Sequence, residues 1–364
     1  MNKKTEDGDG KEIQGKNPEN IFSKLYPLVY ASISSVIGAY EKLAETIAVL
    51  ADANLPDGLR GKTVLDIGCG FGTTALAVSA YAPRKIIAVD NSAGMIELLK
   101  TVYLTKKDLK RWIFRQRGAQ KVLGRFYDPT LRHLLFVREV FQKGIFARRG
   151  GELQVINADG LEVDRFVLEQ VDAIIGSNYL HWPVNKMLSA GLSLQEACDN
   201  ALRPLAGVLR PGGVMVLMEG EDFIIFDDDP EEEADFLGNV AVEHPVFVKF
   251  HAILNDILKK EHGIQRSMPK RSVLFPRSKL ADLFSRYGLK LKRFHHMESA
   301  KCANPLDVNV VSFLQLMGGI NLPFEKKMEL GKKVYKKLSL TITKKERMKP
   351  LRSQIFFQVL EKGS

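Results

Sequence analysis

The stretch Val64-Leu65-Asp66-Ile67-Gly68-Cys69-Gly70-Phe71-Gly72 decides the fold of this chain. An apolar run carries an acid near its end, three alternating glycines follow, and the residues from Thr73 to Ala77 are typical of a helix. Glycine adopts positive φ without steric cost, and its missing Cβ lets a ligand approach the backbone closely. The stretch therefore predicts a strand, a tight turn and a helix, with a ligand site at the turn.

A second acid follows at the spacing that a nucleoside requires. Residues Lys85 to Val89 predict another buried strand, and Asp90 ends it. An acid about 20 residues after a glycine turn, at the end of the second strand, is placed to accept hydrogen bonds from two ribose hydroxyls. These residues therefore predict a cofactor that contains a nucleoside.

The glycine spacing distinguishes two classes of cofactor. Dinucleotide-binding turns have the pattern G-x-G-x-x-G, and Thr73 occupies the position of their third glycine. Asp66 would point into the ligand cleft, where a carboxylate suits an ammonium and a sulfonium better than a pyrophosphate. At these residues the chain resembles the class I S-adenosylmethionine-dependent methyltransferases, whose first motif is D-x-G-x-G-x-G with an acid ending the second strand. The resemblance implies an enzyme with S-adenosylmethionine as its cofactor.

The resemblance continues along the chain and implies the whole fold. An Arg-Pro-Gly-Gly turn at 210–213 before a buried strand is another habit of this family. The implied fold is α/β: a Rossmann-like, seven-stranded, mostly parallel sheet with an antiparallel final strand and helical insertions. The remaining strands are predicted at 152–160, 171–178, 214–218, 290–297 and 354–360.

The resemblance also implies which residues bind the cofactor. Asp159 would accept a hydrogen bond from the adenine amino group, although a role as a helix cap or turn residue explains it as well. Cys69 is also explained as a small apolar filler of the turn. The implied cofactor-binding residues are Asp66, Gly68, Cys69, Gly70, Gly72, Asp90, Asn91, Asp159, Gly160 and Asn178.

Candidate catalytic residues follow the fourth predicted strand. Ligands bind beyond the carboxyl ends of parallel strands, so Tyr179, His181 and Trp182 are expected at the mouth of the substrate site. His181 is the best general base because its usual pKa lies near neutral pH, with a structural role in the loop as the alternative. Tyr179 and Trp182 predict either an apolar substrate wall or ordinary packing, and Tyr179 is the second catalytic candidate. Glu219, at the end of the fifth strand, could orient a substrate or face water, and the exposed position is the expected one.

No metal site is predicted. His295 and His296 are adjacent on a strand and therefore point to opposite faces. The acids between 227 and 233 lack the spacing of a calcium loop and predict a solvated loop that opens a helix. The three cysteines are far apart without C-x-x-C spacing, which argues against a disulfide framework and fits a cytoplasmic protein. No apolar run reaches the roughly 18 residues of a membrane span.

The net charge of +10 is concentrated in particular segments. Residues 101–150 contain 13 Lys or Arg and three acids, and residues 324–352 contain 11 and three. Both segments interrupt the expected alternation of strands and helices, which predicts helical elements added to the core. The predicted organisation is a flexible tail (1–20), a cofactor-binding core (21–100 and 151–220), a basic helical insertion (101–150), a lid or substrate insertion (221–275) and a C-terminal part of the core (276–364) with a Lys-rich helical insertion (299–350).

The fourth strand narrows the class of methyl acceptor. Ser177 to Trp182 lack both the N-P-P-Y turn typical of enzymes acting on exocyclic amines and the Pro-Cys of cytosine carbon-5 enzymes. The expected acceptor is a small, apolar or anionic metabolite, including a carboxylate or a carrier-bound acid. The basic insertions leave other partners open: an acidic carrier protein, an anionic surface or nucleic acid. An RNA methyltransferase and a cofactor-binding scaffold therefore remain as alternatives, beside charges that only solvate helix faces.

Overall fold

The computed structural model describes most of the chain. The described residues are 27–28, 30–32, 39–105, 109–115, 127–220, 223–226, 245–265, 273–301, 320, 322, 324–348 and 351–363. The predicted tail at 1–20 and the acidic run at 227–233 lie outside them.

Seven of the described strands form one sheet in the order β3-β2-β1-β4-β5-β9-β8. Strands β1 to β5 pair in parallel, whereas β9 is antiparallel to both β5 and β8. The predicted mostly parallel sheet with an antiparallel final strand is therefore confirmed. Two further strands, β6 and β7, pair in parallel with each other as a separate sheet. The bounds are β1 Thr63–Ile67, β2 Lys85–Asp90, β3 Glu152–Asn157, β4 Val171–Ser177, β5 Leu209–Glu219, β6 Phe223–Phe226, β7 Val273–Pro276, β8 Leu289–Lys301 and β9 Leu351–Lys362.

Helices cover both faces of the large sheet, and a separate group lies after β6. Short 3₁₀ turns occupy Gly160–Glu162 and Arg277–Lys279. The α-helices are α1 Ala39–Asn54, α2 Thr73–Ser79, α3 Ala93–Tyr103, α4 Leu109–Arg115, α5 Tyr127–Lys143, α6 Ile145–Arg148, α7 Val163–Phe166, α8 His181–Ser189, α9 Leu194–Val208, α10 Pro245–His262, α11 Leu280–Ser285, α12 Phe324–Thr341 and α13 Lys344–Met348.

The sheet is buried on both faces, as parallel sheets in α/β proteins generally are. Successive residues of each central strand point to opposite faces, so one strand contributes to two apolar cores. The first core packs against α1, α2, α3 and α5, and the second against α7, α8, α9 and α11. In the first core Val64, Ile86 and Ala173 are in register, and in the second Leu65, Ile87 and Ile174.

The strand register brings the predicted ligand residues to one edge of the sheet. Ile67 is the last residue of β1 and pairs with Val89 on one side and Gly176 on the other. The glycine turn after β1, Asp90 at the end of β2 and the segment after β4 therefore leave the sheet together.

A third apolar core lies outside the large sheet and joins two regions that the sequence pattern separates. It is built by α10 together with α12, which lie in the segments expected to form separate insertions at 221–275 and 299–350. Strand β8 also continues to Lys301, beyond the predicted start of the second of these insertions. The buried side chains of this core include Phe250, Leu254, Leu258, Leu330, Val334 and Leu338.

Candidate active site

The three glycines of the turn after β1 have different structural reasons. All three have positive φ, of 66°, 53° and 95° at Gly68, Gly70 and Gly72. A Cβ at Gly68 would lie 3.0 Å from the ring of Tyr179, and a Cβ at Gly72 would lie 2.7 Å from the ring of Tyr103. A Cβ at Gly70 would meet nothing within 4 Å. Two glycines therefore make room for tyrosines, and Gly70 leaves the backbone bare toward open space.

Asp90 ties the end of β2 to this turn. One carboxylate oxygen accepts a hydrogen bond from the Gly70 amide at 2.8 Å, and the other accepts from the Ser92 amide at 2.8 Å. Burial raises the pKa of Asp90, and these two amides offset part of the rise. Each oxygen keeps a second lone pair, so the oriented carboxylate could accept from the two hydroxyls of a ribose.

Asp66 is a buried carboxyl group without a hydrogen-bonding partner. It lies within β1, 1% exposed, and neither of its oxygens makes a hydrogen bond. Burial raises its pKa well above the usual range; the nearby Ala75 amide lowers it in part, although it makes no hydrogen bond of normal geometry, and the charge of Asp90 raises it further. An unpartnered buried acid is costly unless a cation or donor compensates it, so Asp66 fits a ligand that brings an ammonium group.

Asp159 makes the cap contact expected from one of its two interpretations. It precedes the 3₁₀ turn that begins at Gly160, accepts from the Leu161 amide at 3.1 Å and lies 3.4 Å from the Lys186 ammonium. The capping role is therefore present, and the outer oxygen is shared with an exposed lysine. Asn91 follows Asp90 and is exposed beside this edge.

Tyr179 lies on the glycine side of the cleft. Its side chain is 8% exposed, and a Cβ at Gly160 would come within 2.5 Å of its hydroxyl oxygen. That hydroxyl has no hydrogen-bond partner. Burial raises the pKa of Tyr179, and the nearby carboxylates, Asp159 foremost, add to the rise. The substrate wall of Tyr179 and Trp182 stays a prediction; Trp182 is 40% exposed, and its ring packs beside that of His181.

The backbone turns sharply at Asn178, between the end of β4 and the residues Tyr179 and Trp182. Asn178 has φ of 54°, in the left-handed region that Asn tolerates better than most residues. Its amide donates to the Met218 carbonyl at 2.7 Å, which fixes the turn to the end of β5. Tyr179 consequently enters the glycine side, and the chain continues into α8 on the other side.

His181 and Glu219 form a buried pair at the start of α8. Glu219 is completely buried; one of its oxygens accepts from the Leu180 amide at 2.6 Å and the other lies 3.0 Å from His181 Nδ1. The expectation that Glu219 faces water is therefore wrong. When Nδ1–H donates to this carboxylate, the basic lone pair of the imidazole resides on Nε2. The pair has the geometry of a general base held in one tautomer.

The signal that could have revealed this pair is the strand order. Strands β4 and β5 are neighbours, and Ser177 is in register with Met218. Residues one or a few positions further along must meet at the same edge, which brings Glu219 beside the segment that carries His181. A carboxylate at the end of a buried strand can therefore indicate a buried partner on the neighbouring strand, even though its polarity suggests exposure to water.

Two features are absent from the described residues: a cluster that could hold a metal ion and a helix that could span a membrane. They contain no group of three or more His, Cys, Asp or Glu side chains arranged to hold a metal ion. Within the same residues, no helix combines the length and the apolar character needed to cross a membrane.

One known family model matches the part of the chain that begins at β1 and contains the glycine turn. Residues 64–142 match the family model described as a methyltransferase domain. No curated protein sequence matches the chain at a significant level.

Similar solved structures include three of low sequence identity. They are the cyclopropane synthase MmaA2 from Mycobacterium tuberculosis (14% identity, 89% of this chain and 83% of that one, TM-score 0.44), the [4+2]-cyclase SpnF (12%, 95% and 96%, 0.45) and a SAM-dependent methyltransferase from Methanosarcina mazei (12%, 85% and 95%, 0.40).

The sheet order, the glycine turn and the family match together support a class I S-adenosylmethionine-dependent methyltransferase. The cofactor that this class implies is S-adenosylmethionine. The residues present fit that cofactor: Gly70 faces open space, Asp66 has no protein partner for its carboxyl, and Asp90 presents an oriented carboxylate.

Proposed function

We propose that this enzyme methylates a small, apolar or anionic metabolite, with His181 accepting the proton that a hydroxyl or carbon acceptor loses; a carboxylate acceptor would lose none. The buried His181–Glu219 pair is the observation that carries the proposal. It lies at the carboxyl edge of the sheet, on the helix that follows Asn178. Bound S-adenosylmethionine supplies a methyl group that its sulfonium has already activated.

The cofactor-binding roles are divided along the sheet edge. Asp90 would accept from the ribose hydroxyls, and Asp66 would pair with the ammonium of the methionine part. Asp159, Gly160 and Asn91 would border the adenine, with Cys69, Gly68, Gly70 and Gly72 forming the turn beneath and Asn178 closing the edge beside it. The orphaned Tyr179 hydroxyl, which lies against Gly160, would donate a hydrogen bond to the adenosine part.

The acceptor would bind against the exposed face of α8. Trp182 and Lys186 are four residues apart and therefore lie on one helix face. Both are partly exposed, and Lys186 reaches the Asp159 carboxylate that borders the proposed adenine site. An indole and an ammonium beside the His181 base suit a molecule with an apolar body and an acidic group, including a carboxylate or a carrier-bound acid.

His181 would remove the proton and Glu219 would position it. Neutral His181 with Nδ1 held by Glu219 can accept a proton at Nε2, and the carboxylate then stabilises the imidazolium. Alignment of acceptor and methyl group contributes most of the remaining acceleration, because methyl transfer needs little else. Glu219 touches neither reactant and acts only through His181.

The segment 221–275 is proposed to cover the acceptor. Its first described residues, Phe223–Phe226, form β6 only a few positions after Glu219 ends β5, so this segment leaves the sheet at the acceptor edge. Among the described residues no contact specifically favours RNA, an acidic carrier or a scaffold without activity.

The test combines binding with turnover. Calorimetric titration with S-adenosylhomocysteine should show binding by the wild-type chain, and a screen of small acids and hydroxylated metabolites should reveal turnover. His181→Ala should reduce kcat by about 10²- to 10⁴-fold, the usual contribution of a general base, with cofactor affinity unchanged.

The matched control is His133→Ala. His133 lies 3.3 Å from Glu41 and is also partly buried, but it belongs to α5, away from this edge. It should lose stability without the same loss of kcat. Turnover by His181→Ala at the wild-type rate would remove His181 as the base.

A further inference from the structure

The helices α10, α12 and α13 pack together as one unit. The turn between α12 and α13 forms a corner of this unit and is held by several hydrogen bonds. Thr343 and Glu346 cap α13 reciprocally, with amide contacts of 2.8 and 3.2 Å. The Arg347 guanidinium donates to the Ser339 carbonyl at 2.7 Å, and the Lys249 ammonium contacts both the Thr341 carbonyl and Glu346. The turn between α12 and α13 is therefore held by these hydrogen bonds together with the burial of Ile342 in the third core.

This corner exposes large apolar side chains. Leu340 is 78% exposed and Met348 is 72% exposed, although both belong to the ordered helices. The bond between Arg347 and Ser339 brings their two stretches together, since each apolar residue adjoins one of these partners. Single exposed apolar residues are ordinary, but two that protrude from one fixed corner suggest a contact with something outside the chain.

The charges of the unit are sorted between its inside and its outside. Residues 245–265 and 324–348 contain twelve Lys or Arg and five Asp or Glu. Lysines of the unit pair with its acids Asp256, Glu261, Glu329 and Glu346. Six exposed lysines of the unit make no ion pair in the described part of the chain: Lys259, Lys326, Lys332, Lys336, Lys344 and Lys345.

Helix geometry places the last four of these cations beside the exposed apolar residues. Lys332, Lys336 and Leu340 recur at intervals of four, so they share one face of α12. The buried residues Leu330 and Val334 belong to the opposite face, which packs against α10. A row of lysines therefore leads to Leu340, and Lys344 and Lys345 follow directly beyond the corner.

We propose that this corner, defined by Lys332, Lys336, Leu340, Lys344, Lys345 and Met348, docks on an anionic lipid surface. Lysines are attracted to anionic headgroups, and isolated apolar side chains can enter the boundary between headgroups and acyl chains. A stable protein interface needs roughly 800 Å² on each partner, which two protruding side chains do not supply. RNA would use the lysines but would leave Leu340 and Met348 in water.

Co-sedimentation of the full chain with vesicles tests this surface. Vesicles of phosphatidylcholine with part of it replaced by phosphatidylglycerol should bind the protein, and pure phosphatidylcholine should bind it much less. The double variant Leu340→Ser, Met348→Ser should lose about tenfold or more of the binding to anionic vesicles. The variant Lys344→Glu, Lys345→Glu should lose a comparable amount, and high salt should weaken the wild type.

Two matched controls belong to other faces. Phe136→Ser with Val140→Ser removes an exposed apolar pair from α5, and Arg148→Glu with Arg149→Glu reverses an exposed basic pair at the end of α6. Neither should change vesicle binding, and all variants should keep the wild-type melting temperature and affinity for S-adenosylhomocysteine. Equal binding to both lipid compositions, loss of binding only in the controls, or RNA binding that depends on Lys344 and Lys345 but not on Leu340 would overturn the proposal.

Discussion

The two sides of the active-site edge satisfy their buried polar groups in opposite ways. On the cofactor side, the Asp66 carboxyl and the Tyr179 hydroxyl are buried and have no protein partner. On the acceptor side, Glu219 is buried just as deeply, and each of its oxygens is engaged, by Leu180 and by His181. Orphaned groups are suited to bind a ligand, whereas fully engaged groups are suited to hold another side chain still. The substitutions below test this contrast.

Glu219→Gln should have the largest effect of these substitutions, and it should lower kcat. A glutamine can still accept from the Leu180 amide, but its NH₂ would face His181 Nδ1 and favour the tautomer with hydrogen on Nε2. The base would then be blocked, and kcat should fall by about 10²- to 10⁴-fold, as it does in Ser-His-Asp triads when the orienting acid is neutralised. Steady-state kinetics over a range of pH, with calorimetric cofactor titration beside it, would measure this.

The control for Glu219 is Glu41→Gln, since Glu41 is the acid partner of His133. It should leave kcat nearly unchanged. If Glu219→Gln kept wild-type turnover, Glu219 would be a structural acid, and the acceptor side would lose its half of the contrast.

Asp90→Ala should give the next largest effect, and this effect should fall on cofactor binding. Hydrogen bonds to a charged group contribute about 1.5–3 kcal/mol, so the Kd for S-adenosylhomocysteine should rise by roughly 10- to 150-fold. Asp164→Ala removes an exposed acid from α7 and should not change the Kd. Wild-type affinity in Asp90→Ala would contradict the ribose assignment.

How far the sequence predicts each side follows from how local its signals are. Gly68, Gly70, Gly72 and Asp90 lie within a single strand-turn-helix-strand unit, so the turn and its acid were predictable from spacing, and the sheet order follows from that family pattern. Glu219 was expected in water because its burial depends on α8, which closes over the end of β5. No local pattern shows that.

The glycines show the same limit at a finer level. Their positive φ was predictable from their alternation, but the tyrosines that fill the space beside Gly68 and Gly72 come from the segment after β4 and from α3. The pairing of α10 with α12 was equally hidden, since two amphipathic helices separated by β7, α11 and β8 carry no mark of their shared core.

Asp66→Asn should separate stability from binding. Burial raises the pKa of Asp66, so the folded state holds its proton more tightly than the unfolded chain does. The contribution of Asp66 to the free energy of unfolding is therefore complete below its pKa in the unfolded chain. It is lost as the pH rises through its pKa in the folded protein. Asparagine should remove that loss, raise the melting temperature of the cofactor-free protein at neutral pH and weaken cofactor binding.

The control for Asp66 is Asp172→Asn. The Asp172 carboxylate accepts from the Thr63 amide at 2.7 Å, so its neutralisation should lower stability. Thermal unfolding between acid and neutral pH would measure both. A drop in melting temperature for Asp66→Asn at neutral pH would mean that the carboxyl has a partner within the protein.

Tyr179→Phe should give the smallest effect, and its direction is the sharpest test of the contrast. Removing a buried hydroxyl that has no partner costs the cofactor-free protein nothing, so its melting temperature should stay constant or rise. If the cofactor is the missing partner, affinity for S-adenosylhomocysteine should fall by about 0.5–1.5 kcal/mol, or two- to tenfold.

Tyr103→Phe is the matched substitution, because Tyr103 is buried against the same turn but its hydroxyl already donates to the Gly72 carbonyl at 3.2 Å. That variant should lose stability and keep most of its affinity. Two tyrosines packed against two glycines of one turn would then differ only in where their hydroxyls find a partner, and identical behaviour of the two variants would remove the distinction between orphaned and engaged groups.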